Sequence, residues 1–77
     1  MKHDVEWFKR KVSETPERSQ RKLAPTILNS EGRPMDPSSL NKIVNGTQPM
    51  FLSDAVQLAR VFGVSLEEVA KRSGLRL

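Results

Sequence analysis

The side chains that can do chemistry in this chain are hydrogen-bonding groups rather than nucleophiles. The run Asp36 to Gly46, DPSSLNKIVNG, gathers Ser38, Ser39, Asn41, Lys42 and Asn45 around three apolar residues, Leu40, Ile43 and Val44. At helical spacing the apolar three share one face and leave the polar set to the other. Serine donates or accepts, asparagine pairs bidentately with adenine, and lysine reaches guanine or a phosphate. Such a helix suits the reading of base edges in a major groove about 12 Å wide. Covalent chemistry has no comparable basis. With one histidine, no cysteine and no tyrosine, no nucleophile–base pair can be built, and no glycine-rich phosphate loop is present. His3 stands alone near a terminus expected to fray, so no catalytic residue, metal ligand or cofactor is assigned. A domain this small also offers little room for a small-molecule substrate cleft.

The elements that must position this helix follow from periodicity and punctuation. Val5, Phe8 and Val12 form an i, i+3, i+7 stripe with Trp7 on its flank, and Asp4 and Glu6 suit the positive end of that first helix. Lys9, Arg10 and Lys11 form a solvated face, and Thr15-Pro16 breaks the pattern because the residue before proline avoids helical geometry. A second helix, about residues 19–28, starts at the capping residue Ser19 and runs through Leu23-Ala24. Pro25 predicts a kink or an early end, with Ile27 and Leu28 still packing inward. Residues 29–35 read as an exposed loop. Asp36 as N-cap and Pro37 in the first turn open the third helix, about 37–45, and Asn45-Gly46 ends it. A fourth helix, about Phe51 to Phe62, buries Leu52, Ala55, Leu58, Ala59 and Phe62, and Phe51 is also placed in the core. Ser65 and Glu68 form a capping box for a fifth helix through about Arg72. No alternating strand pattern occurs, so the expected class is all-α, five helices in one domain spanning 1–77.

Charge narrows the partners. The chain has 77 residues, with 13 Lys+Arg against 9 Asp+Glu. Seven basic and four acidic side chains fall within residues 1–23, so the surplus lies early in the chain. Excess positive charge favours polyanions, nucleic acid first among them. No apolar run approaches the roughly 20 residues of a membrane span. The N-terminal MKHDVEWFKRKV is charged throughout, unlike a secretory signal. The expectation is a soluble cytoplasmic protein without a membrane partner.

Five motifs occur in order: Ser19-Gln20, Leu23-Ala24, Leu40-Asn41-Lys42-Ile43-Val44-Asn45-Gly46, Leu58-Ala59 and Gly63-Val64-Ser65. From residue 7 to about residue 72 the chain resembles the lambda-repressor-like, or XRE, family of helix-turn-helix DNA-binding domains of phage-type repressors. The resemblance implies a compact five-helix fold with the third helix as reader. It also implies base contacts from Ser38, Ser39, Asn41, Lys42 and Asn45. Gln20 then lies near the DNA backbone, and Arg21 and Lys22 add phosphate contacts at a helix N-terminus that favours anions. One departure is plain. The turn between helices two and three is longer by about six residues, Asn29 to Pro34, which either lets Arg33 touch the DNA backbone or bulges into solvent.

These readings point to a sequence-specific regulator, a repressor of phage or bacterial type, that binds double-stranded operator DNA as a homodimer with half-sites about 34 Å apart. Val69, Leu75 and Leu77 are the candidate dimer contacts. Two alternatives remain: a protein-interaction module of antitoxin or adaptor type on the same fold, favoured by Lys42 being the one basic residue of helix three, and a non-specific nucleic-acid binder. Few aromatics are free to stack on single-stranded bases, which counts against the second.

Overall fold

Each helix begins where a side chain can accept from otherwise unpaired backbone N–H groups. In the computed structural model, which describes residues 3–29 and 31–75, α1 spans Val5–Glu14 behind Asp4, whose carboxylate accepts from the Trp7 N–H at 3.1 Å. Ser19 caps α2, Gln20–Leu23, and Asp36 caps α3, Pro37–Asn45. α4 spans Leu52–Phe62, and α5, Leu66–Ser73, starts behind Ser65. Gly46, Gly63 and Gly74 close the last three helices in the left-handed conformation that glycine adopts without strain. The described residues form an all-helical globule of five α-helices without a strand. None of these helices is long and apolar enough to cross a membrane.

α2 is shorter than the residue pattern predicts. It stops at Leu23, and Ala24–Thr26, with Pro25 inside, continue as one turn of 3-10 helix. Proline has no N–H for an α-helical bond, and its ring crowds the turn before it. Ile27 then adopts extended geometry, in which neighbouring side chains point to opposite sides. Ile27 is therefore buried and Leu28 exposed, a correction to the expectation that both pack inward.

Phe8, Leu23, Ile27, Leu40, Ile43, Val44, Leu58 and Val69 form the fully buried centre. α1 lies across α3 and α4, α2 packs on α3, and α4 packs on α5. Trp7 is buried edge-on against Phe8 and Phe62, at 4.9 and 5.9 Å between ring centres. At the other edge of this cluster Arg72 donates to Glu68 and Asp4, at 3.0 and 3.2 Å, and ties the end of α5 to the start of α1.

Three further expectations are corrected. Phe51 and Leu52 are not core; both are exposed, and the buried first-turn residue of α4 is Asp54, whose carboxylate accepts from the Phe51 N–H at 3.1 Å. An acid that caps its own helix start fills the inward position, and the two apolar residues turn outward. His3 is not frayed. Its Nε2 bonds the Val44 carbonyl at 2.6 Å, and its ring stacks on Phe8 at 4.6 Å. Of the candidate dimer contacts, Val69 is fully buried and Leu75 packs against the core. Leu77 lies outside the described residues.

Candidate nucleic-acid interface

The polar face of α3 is set by which of its residues the core claims. Leu40, Ile43 and Val44 are buried, so Ser38, Asn41, Lys42 and Asn45 fall within roughly a third of the helix circumference on the opposite side. Ser38, Asn41 and Lys42 are exposed, and Asn45 is half-buried. Ser39 stands apart. It turns toward a cleft of about 180 Å³ that it shares with Asn29, Met35, Ile43, Gln48, Phe51 and Asp54.

Three amides on this side form a chain. Asn45 Nδ2 donates to Asn41 Oδ1 at 2.9 Å, and Asn41 Nδ2 donates to Gln20 Oε1 at 3.0 Å. The first residue of α2 is thereby joined to the middle and end of α3. Each carboxamide carries two donor positions and two acceptor lone pairs. After these bonds Asn41 keeps one N–H and one lone pair, and Gln20 keeps its whole NH₂ group. The amides therefore arrive at a ligand already oriented, with donor and acceptor side by side on Asn41.

Ser38 has a prior engagement. Its N–H and hydroxyl both donate to Asp36, which leaves the hydroxyl oxygen free only to accept. The hydroxyl first, and the N–H next, hold the Asp36 carboxyl below the usual carboxylate range, with a smaller contribution from the charge of Lys42. Exposed cations stand next to members of the amide chain in sequence: Arg21 and Lys22 follow Gln20, and Lys42 follows Asn41. None of the three is in an ion pair among the described residues; the pairs there join Lys11 to Glu14 and Arg72 to Asp4 and Glu68.

Arg33 sits elsewhere. Leu28 and Pro34 are joined by an antiparallel bridge, and the Asn29 side chain accepts from the N–H groups of Glu31 and Arg33, so these residues form a hairpin. Gly32 sits at φ +76°, the left-handed position this tight turn needs. Gln57 of α4 clamps the hairpin, accepting from Leu28 N–H at 2.8 Å and donating to its carbonyl at 2.7 Å. Arg33 is exposed on that hairpin, and no described contact joins it to the amide chain.

Residue types alone placed Gln20, Asn41 and Asn45 on the candidate surface but did not reveal the bonds among them. The Asn29 turn has a local signal, an Asn followed three residues on by Gly. The Gln57 clamp had none, since its partners lie 29 positions apart. Comparison with family models, with curated proteins and with solved structures gives no match for this chain.

Proposed function

We propose that the chain is a sequence-specific double-stranded DNA-binding domain of lambda-repressor-like type, acting as a transcriptional repressor in the cytoplasm. The observation that carries the proposal is the Gln20–Asn41–Asn45 amide chain across α2 and α3, whose members are followed in sequence by the exposed cations Arg21, Lys22 and Lys42. Oriented amides match the adjacent acceptor and donor that adenine shows in the major groove, N7 and N6. Lysine and arginine beside them supply the phosphate attraction that positions a reader without informing it. Ser38 can take part as an acceptor, from a cytosine amino group for example. Ser39, turned toward the cleft, is a weaker candidate for base contact than its neighbours on the outer face. Arg33 can act only on backbone beside the hairpin. The role proposed is binding rather than catalysis.

A single small reader makes few contacts, so the active form is proposed to be a two-fold dimer with half-sites about one helical turn apart. The test is titration of a fluorescent mixed-sequence duplex at two salt concentrations. Binding that weakens steeply as salt rises is expected, because each neutralised phosphate releases counterions. An absence of binding at low salt contradicts the proposal.

A further inference from the structure

Two residues that line the cleft beside α3 run against the usual sorting of side chains. Asp54 is 6% exposed and is the one charged residue among those that line the cleft. One of its oxygens accepts from the Phe51 N–H, and the other takes no hydrogen bond from a described residue. No cation pairs with it among the described residues, where the ion pairs join Lys11 to Glu14 and Arg72 to Asp4 and Glu68. A buried charge is ordinarily paired. The start of α4 offers about half an elementary charge, which offsets the carboxylate only in part. Phe51 is the opposite anomaly, an aromatic residue that lines the same cleft yet is 62% exposed.

From these observations we infer that the cleft is a binding site for a small organic molecule carrying a primary ammonium group, with Asp54 as the counter-charge. A primary ammonium has three N–H donors. The residues of the cleft carry three acceptors that no described hydrogen bond occupies: the second Asp54 oxygen, the Ser39 hydroxyl and the Gln48 side-chain carbonyl. Met35 and Ile43, both buried, supply apolar wall for the ligand's carbon atoms. Phe51 adds an aromatic ring, whose face attracts a cation. The cleft holds about 180 Å³, close to the roughly 150 Å³ that accommodates a benzene-sized guest and below the range usual for larger ligands. The ligand class is therefore a compact amine of one ring or a short aliphatic chain. An anion finds no basic residue on the lining, and a purely apolar molecule would cover the carboxylate without pairing it. Ser39 and Ile43 belong to α3, whereas Phe51 and Asp54 belong to the start of α4, so a bound amine bridges the two helices. The inference does not rest on the DNA-binding reading.

Benzylamine is the probe, titrated at constant ionic strength into isotopically labelled protein and followed by amide NMR. It is expected to move the signals of Ser39, Gln48, Phe51 and Asp54 saturably, with a Kd on the order of a millimolar. Benzyl alcohol has the ring without the charge, and tetramethylammonium has the charge without an N–H donor; each is expected to bind at least tenfold more weakly. Equal binding by either control, or no saturable shift with benzylamine, overturns the inference. Asp54→Asn keeps an acceptor for the Phe51 N–H and removes the charge, so at least a tenfold loss of benzylamine affinity is expected. Gln48→Ala guards against a folding defect in that variant, since it alters only the connector between α3 and α4; a severalfold loss is expected with helicity unchanged by circular dichroism. Wild-type affinity in either folded variant counts against the site. Tighter binding of Nα-acetyl-lysine amide than of benzylamine would assign the cleft to a lysine of a protein partner and overturn the small-molecule assignment.

Discussion

α3 and α4 are neighbours of similar length with opposite outer faces. Both bury an aliphatic stripe, Leu40, Ile43 and Val44 in one and Ala55, Leu58 and Ala59 in the other. Outward, α3 shows amides, hydroxyls and a lysine, whereas α4 shows Leu52 and Val56 among Ser53, Gln57 and Arg60, with Phe51 at its start. A face of oriented donors and acceptors gains from a partner with its own pattern of polar atoms. A face of aliphatic and aromatic carbon gains only by excluding water. The inner faces make the fold, and the outer faces, free of that duty, carry the information about partners.

The comparison can be broken most severely at its shared base. Leu40→Ala removes a fully buried side chain beneath the polar face, and a loss of about 2–5 kcal/mol is expected. That is a large part of the stability of a domain this size, and thermal unfolding reads it directly. Both outer faces should fail together in this variant.

A double substitution, Asn41→Ala with Lys42→Ala, breaks one face and spares the other. Loss of a bidentate base contact costs about 1–3 kcal/mol, and loss of the lysine lowers the salt dependence by about one phosphate. Specific DNA affinity should drop at least tenfold while helicity and dimerisation stay as in the wild type. Quantitative footprinting and sedimentation check the two halves of that statement.

Gly46→Ala tests the joint between the helices. Gly46 sits at φ +75°, and an added Cβ meets the His3 ring at 2.8 Å. A destabilisation of about 1–2 kcal/mol is expected from the backbone conformation alone, measured by urea unfolding. The wild-type value in this variant would contradict the strain that the left-handed backbone at residue 46 imposes on any other residue. The smallest effect sharpens the polar face. Asp36 is held below the usual carboxylate range chiefly by the Ser38 hydroxyl, so its cap is fully formed above the unfolded carboxylate value of about 3.9 and is lost as pH falls through the lower folded value. Protection of the amides at the start of α3, taken relative to their intrinsic exchange rates, should fall in that acid window and remain flat above it. Replacement of Asp36 by Asn should abolish the pH dependence.

Much of the fold was legible because it is written locally. Asp36-Pro37 at a helix start and Asn45-Gly46 at its end are signals within a few residues of their effect. Pro25 announced the break in α2, although only the structure shows that the chain goes on as a 3-10 turn and then extended, which turns Leu28 outward. Phe51 and Leu52 misled because hydrophobicity suggests burial, while the inward place at the start of α4 is taken by Asp54 in satisfying the Phe51 N–H. The candidate site was legible as residue types but not as a network. Gln20 and Asn41 are 21 positions apart, and no local pattern records that their side chains meet. His3 was misjudged for the same reason, since its partner carbonyl lies 41 positions away.

The central claim is that the amide chain across α2 and α3 reads bases. It is tested most directly by selection from random duplex DNA with the wild type and with Asn41→Ala in parallel. Enrichment of a two-fold symmetric site by the wild type is expected, with an adenine preference in each half-site that Asn41→Ala relaxes. Identical enriched sites for the two proteins, or no enrichment by either, would contradict it.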